Sequence, residues 1–226
     1  MGVRVLKEKV TGLLRTADCE KALAELTAFP PEKLVKPLIS CLCSCDERIK
    51  WHAVSALGQV VTAMAGTDFE SARIVMRRFM WSLNDESGGI GWGAPEAIGE
   101  ICATHPQIAQ EYGHMLVAYM REDGFYLELP ELQRGLMWAV GRLAQVNPQL
   151  LIKNQVHTYL PPYLTSDDHL VRAGAAYALG ILGCKEVKEA LETIVHDARP
   201  VTLYVDCHFN ETTLGNIAAG ALSLLE

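Results

Sequence analysis

The feature that most constrains this chain is a short helical pattern that returns at a near-constant interval. It reads Ala53-Val54-Ser55-Ala56-Leu57-Gly58, then Ala94-Pro95-Glu96-Ala97-Ile98-Gly99, then Leu136-Met137-Trp138-Ala139-Val140-Gly141 and Ala175-Ala176-Tyr177-Ala178-Leu179-Gly180. A last copy, Ala218-Ala219-Gly220-Ala221-Leu222-Ser223, puts Ser where Gly stood. The closing positions lie 41, 42, 39 and 43 residues apart. Self-similarity at a fixed period marks a stacked-repeat architecture. A glycine inside a helix costs ~1 kcal/mol relative to alanine, so four in register need a packing reason. Ala and Gly at helical spacing let stacked helices approach closely, while the Leu, Ile and Val between them fill the gaps.

Each copy is the inner helix of a two-helix unit. Polar breaks with capping residues precede them: Ser44-Cys45-Asp46, Asp85-Glu86-Ser87, Ser166-Asp167-Asp168 and Asn210-Glu211-Thr212. Such side chains accept hydrogen bonds from the free N–H groups of a helix start. Apolar-periodic stretches before the breaks predict outer helices at about 31–43, 68–84, 106–121, 148–164 and 185–197. Pro31, Pro106 and Pro148 stand near three of those starts, where a missing N–H costs little. The division expected is one domain over residues 1–226, with a degenerate N-terminal hairpin in 1–30 and five repeats in 31–226.

Asp168-His169-Leu170-Val171-Arg172-Ala173-Gly174-Ala175-Ala176-Tyr177-Ala178-Leu179-Gly180 closely resembles the signature of HEAT-like repeats of the bilin-lyase (PBS-lyase) type. Asp46-Glu47-Arg48-Ile49-Lys50-Trp51-His52-Ala53-Val54-Ser55-Ala56-Leu57-Gly58 is a second match, with Lys50 in place of the Arg; Gly91 and Gln133 hold that basic position in other copies. The period fits the ~40–47 residues of HEAT units better than the ~34 of tetratricopeptide or ~33 of ankyrin repeats. The resemblance implies an all-α, right-handed α-α superhelix of about five to six helical hairpins, with a concave inner face. Its members are mostly interaction scaffolds, and some handle chromophores or DNA. A fold cannot choose among those roles.

Charge narrows them. With 20 Lys+Arg against 27 Asp+Glu the chain carries a formal charge of -7, so no nucleic acid partner is expected. A solenoid of the DNA-repair kind needs a basic channel, which this balance disfavours. No run of about 18 apolar residues predicts a membrane span, and charges break up residues 1–9 too often for a signal sequence. The expectation is a cytoplasmic protein with its seven cysteines reduced.

The most unusual segment is Asn84-Asp85-Glu86-Ser87-Gly88-Gly89-Ile90-Gly91-Trp92-Gly93-Ala94-Pro95-Glu96. Four glycines and a proline make a poor helix interior, so the inner helix should start late, near Ala94. Gly88 and Gly89 would then lie in a loop beside Trp92, which serves either close packing or contact with a ligand or partner. Trp51 and Trp92 both stand seven residues before their repeat glycine, and Trp138 stands three before Gly141. In adjacent repeats they form an aromatic strip, on the inner surface or in the core. Trp81, on an outer helix, is expected in the core. Arg134, Arg142 and Arg172 fall on or near inner helices with Glu96, Glu100 and Glu128 nearby in the stack. They suit an anion or peptide, or inter-repeat pairs worth under ~1 kcal/mol each. The candidate binding set is Trp51, Gly88, Gly89, Trp92, Glu96, Arg134, Trp138 and Arg172.

No catalytic, cofactor or metal site is expected. Cys41-Leu42-Cys43-Ser44-Cys45 at a helix end points successive thiols about 200° apart, poorly convergent on one ion. Cys19, Cys102 and Cys184 read as small core residues, and Cys207-His208 has no obvious companions. No His-Glu-x-x-His and no nucleophile motif occurs. Val201 to Glu211, rich in β-branched and aromatic residues, breaks the helical rhythm and predicts an extended excursion before the last helix. The reading is a non-enzymatic scaffold that binds a protein or peptide on its concave face. Two alternatives stand beside it: a small-ligand accessory protein or lyase of the bilin-lyase-like class, with Trp92, Arg134 and the Gly-rich loop around a pocket, and the DNA-repair solenoid that the charge disfavours.

Overall fold

A computed structural model describes residues 2–84 and 91–226. The inner helices are α4 (Glu47–Ala65), α6 (Ala94–Thr104), α8 (Pro130–Val146), α11 (His169–Ile181) and α13 (Leu214–Leu224). They stack in chain order, α6 between α4 and α8, and α11 between α8 and α13. Outside them lie α3 (Pro31–Cys41), α5 (Phe69–Leu83), α7 (Pro106–Ala118), the short pieces α9 (Pro148–Lys153) and α10 (Val156–Tyr159), and α12 (Lys188–Glu192). An opening hairpin, α1 (Val3–Leu14) and α2 (Cys19–Leu26), packs on α3 and α4.

Local chemistry sets these boundaries. The Asp46 carboxylate accepts from the Arg48 N–H at 3.0 Å, and Asp168 accepts from Leu170 and Val171 at 2.9 and 3.1 Å. Pro31, Pro106, Pro130 and Pro148 each open a helix. The Asp85-Glu86-Ser87 break lies outside the described residues. α6 does start at Ala94, on Gly93 with φ +75°, a left-handed conformation that favours glycine.

The repeat glycines are where neighbouring inner helices touch. A Cβ on Gly99 would run into the Ala139 side chain and backbone, and one on Gly180 would come within 2.7 Å of the Ala221 Cα. One on Gly58 would meet the Glu100 side chain at 2.8 Å, and one on Gly141 the Tyr177 ring at 3.0 Å. The ~1 kcal/mol helix penalty is offset by this approach, which buries Leu57, Ile98, Leu136 and Leu179 completely. Each such side chain contributes ~1.5–3 kcal/mol.

Three expectations need correction. The outer segment 148–164 is broken into α9, α10 and a 3-10 turn: Gln155, at φ 62°, separates the two helical pieces, and Pro161 and Pro162 follow α10 and cannot continue it; 185–197 holds only the short α12 after a 3-10 turn. Trp81 is not core: it is 75% exposed on the outer helix α5. The all-α class holds, and the extended excursion expected at Val201 to Glu211 is a small two-stranded addition to it. β1 (Pro200–Val205) and β2 (His208–Thr213) form an antiparallel hairpin through Asp206 and Cys207, both at positive φ. The last helix is therefore capped by Thr213, not by Asn210-Glu211-Thr212, which lie inside β2.

Candidate functional site

The hairpin does not cap the end of the stack. It lies lengthwise in the concave face. The Pro200 carbonyl accepts from the His169 Nε2 at 3.2 Å, at the start of α11. Farther along, the Tyr204 carbonyl accepts from the Trp138 indole N–H on α8 at 2.7 Å. The Tyr204 ring stacks on Trp51 of α4 at 5.0 Å between centroids, and its hydroxyl is 2.9 Å from the Ser55 Oγ. At the tip, Cys207 forms a disulfide with Cys19 of α2, their Cα atoms 5.7 Å apart. Cys19 is buried, as its core reading has it, but it is not a free thiol; the isolated Cys207 and the seven reduced thiols do not stand. The two positions are 188 residues apart, and no local spacing links them.

Tyr204 is the anchor of this arrangement. It is 3% exposed, and burial pushes its hydroxyl up to about 12, so it stays protonated across the physiological range. Trp51 and Trp138 meet at 4.8 Å although α6 lies between their helices, and Tyr204 is laid over both.

Between β1 and the N-terminal ends of the inner helices lies a cavity of ≈ 660 Å³. That is within the ~300–1,000 Å³ of ligand sites. Trp51, Trp92, Glu96, Arg134 and Trp138 all line it. Arg172 does not; it pairs with Asp197 at 3.5 Å elsewhere. Gly88 and Gly89 fall outside the described residues. Trp92 is 37% exposed, held by Gly93, where a Cβ would strike Leu42 at 2.8 Å.

The charges around the cavity are arranged in pairs. Lys50 of α4 reaches Glu96 of α6 at 2.9 Å. Burial pulls the Lys50 ammonium down, but the Glu96 carboxylate more than offsets that, and the net shift is upward. The Glu96 carboxylate occupies the space over Gly135, where any Cβ would collide with it. Arg142 of α8 reaches Glu100 at 2.7 Å, and Arg134 holds Asp168, with its Nε at 2.9 Å. Burial pushes the Asp168 carboxyl up, yet Arg134 and the backbone N–H groups bring it below the ordinary carboxylate range. The sequence brought Glu96, Glu100, Arg134 and Arg142 into one neighbourhood. It missed Lys50 as the partner of Glu96, and it missed Tyr204 and His169. The basic residue of the repeat signature, which Lys50 occupies, was the available signal for the first.

Known proteins place this architecture. Residues 130–182 match a family model described as a HEAT-like repeat. The fold is that of a helical repeat solenoid, and it carries a HEAT-like repeat. A designed armadillo repeat protein in complex with the peptide (KR)4 superposes with a TM-score of 0.56 at 19% identity, over 96% of this chain and 98% of that one. An engineered protein superposes with a TM-score of 0.54 at 17% identity, over 97% and 96%. In sequence, an uncharacterised protein of Archaeoglobus fulgidus is 28% identical over 152 residues, 65% of this solenoid and 73% of that protein. No described helix is long and apolar enough to cross a membrane. Among the described residues no three His, Cys, Asp or Glu side chains gather as a metal site.

Proposed function

We propose that this helical repeat solenoid is a non-enzymatic scaffold that binds a protein or peptide partner in its concave groove. The observation that carries the reading is the open cavity between β1 and the inner helices, with three indoles and a set of fixed charges on its walls. Aromatic side chains and arginine are the residue types that dominate binding energy at protein interfaces. The peptide complex of a designed armadillo neighbour supports a groove of this kind as a peptide-binding surface. The groove residues of the proposal are Trp51, Trp92, Glu96, Arg134 and Trp138; Gly88 and Gly89 belong to the candidate set but lie outside the described residues, and Arg172 lies outside the cavity.

The scaffold works in the cytoplasm on this reading, where the Cys19–Cys207 bond has to persist against the reducing thiol pool. Affinity capture from a native extract tests the binding role. Wild-type protein retains a stoichiometric partner, and a Trp92→Asp, Arg134→Glu variant of unchanged helicity loses it. Capture of the same partner by both forms, or of none by either, contradicts the reading.

A further inference from the structure

β1 has one edge paired with β2 and one edge turned to the groove. Side-chain and backbone directions alternate along a strand, so residues 200, 202 and 204 present their peptide groups to the same edge. The Pro200 and Tyr204 carbonyls point away from β2, because His169 and Trp138 donate to them. Thr202, midway between, therefore turns both its N–H and its carbonyl toward the groove. Thr202 is exposed, and among the described residues neither group has a hydrogen-bond partner. All six residues of β1 line the cavity, a strand of ~20 Å at ~3.3 Å per residue. An unpaired edge of this kind is a template for an added strand.

The charge of the groove selects the strand. Its three cations, Lys50, Arg134 and Arg142, are already held by Glu96, Asp168 and Glu100. Four further carboxylates on the walls of this cavity and the adjoining one have no cation within 4.0 Å among the described residues: Glu47 and Glu131 beside β1, and Glu20 and Asp206 beyond Tyr204. Among the described residues Glu47 accepts only from the Trp51 indole N–H, at 3.0 Å. The surplus negative charge favours cationic groups in the groove and opposes acidic ones.

We propose that an extended Lys/Arg-rich peptide segment docks beside β1 as a third strand, its backbone bonded to Thr202 and its basic side chains facing Glu47 and Glu131. This deepens the scaffold reading and rests on it. The segment runs along the groove because β1 does, from α11 to α4. The Trp51, Trp92 and Trp138 rings give its aliphatic stems and cations an aromatic wall.

The test uses the full chain and an acetylated, amidated Lys-Arg octapeptide in titration calorimetry. Three comparisons accompany it: the same peptide N-methylated at alternate residues, a Glu-rich octapeptide, and the Thr202→Pro variant. Proline at 202 deletes the groove-facing N–H and leaves the β1–β2 ladder its donors, because residue 202 does not bond to β2. The expected result is one-to-one binding of the basic peptide, weakened tenfold or more by N-methylation and by Thr202→Pro. Glu47→Gln with Glu131→Gln weakens it several-fold and flattens its salt dependence, and the Glu-rich peptide does not bind. Equal binding of the methylated peptide to wild-type protein overturns the strand geometry whether or not the proline variant folds. Preference for the Glu-rich peptide, or no binding of the basic one, overturns the partner class. If the captured native partner still depends on Trp92 and Arg134 in those cases, the scaffold reading survives and only this inference falls.

Discussion

The Tyr204 hydroxyl sits 2.9 Å from the Ser55 Oγ, although 149 positions separate them. That contact pins a hairpin from the last repeat onto the second helical unit of the chain. Truncating the ring removes the stack on Trp51 as well as the hydroxyl. Tyr204→Ala is expected to destabilise the fold by ~3–5 kcal/mol, as large aromatic truncations do. Tyr204→Phe loses only the hydrogen bonds, about 1 kcal/mol. Urea denaturation followed by tryptophan fluorescence measures both, since Trp51 and Trp138 report on the same ring. Equal and small losses would show that the hairpin is not seated by Tyr204.

The second attachment is covalent. A bond between Cys19 and Cys207 closes nearly the whole chain into a loop, and removing such a link costs about 2–4 kcal/mol. Alkylation under non-reducing, denaturing conditions is expected to label five cysteines and leave 19 and 207 joined in the peptide map. A dithiol reductant should lower the urea midpoint of the wild type and leave Cys207→Ser unchanged. Labelling of all seven would contradict the pairing.

The glycines offer a contrast within one chain. Around Gly12 a Cβ would meet nothing within 4 Å, so Gly12→Ala should stabilise α1 by about 0.5–1 kcal/mol. Gly99→Ala forces a methyl into Ala139 and should destabilise by ~1–3 kcal/mol through overpacking. Thermal unfolding of the two variants checks the opposite signs.

These glycines also show what was legible beforehand. Gly58, Gly99, Gly141 and Gly180 advertise the solenoid because their spacing is a consequence of a local period repeated by stacking. The register of Trp51 and Trp138 likewise brought two indoles to one place, 4.8 Å apart. The hairpin's destination left no such trace. Val201 to Glu211 announced extended structure by composition, but what it lies on depends on contacts with Ser55 and Cys19, set by the curvature of the whole stack. Trp81 failed for a related reason. Helical period names a face, and only the neighbouring helices decide whether that face is covered.

His52 gives a pH prediction. Its side chain is 1% exposed on α4, and its Nδ1–H donates to the Leu14 carbonyl at 2.9 Å, tying α4 to α1. Burial lowers its folded-state pKa below the ordinary 6.5. The unfolded chain then binds a proton more readily than the folded one between those two values, so stability rises with pH there. The stabilisation is complete above about 6.5 and is lost as the pH falls below it. Melting curves from pH 7.5 to 5.5 should show a decline that is shallower in His52→Gln; parallel declines would assign it to other groups.

On the scaffold proposal, partners bind in the concave groove. Hydrogen–deuterium exchange of the chain with and without its captured partner distinguishes this from binding elsewhere. The prediction is new protection in β1 and in the N-terminal halves of α4 and α8, with α5 and α7 unchanged. Protection confined to the outer helices, with β1 exchanging as in the free chain, would contradict it.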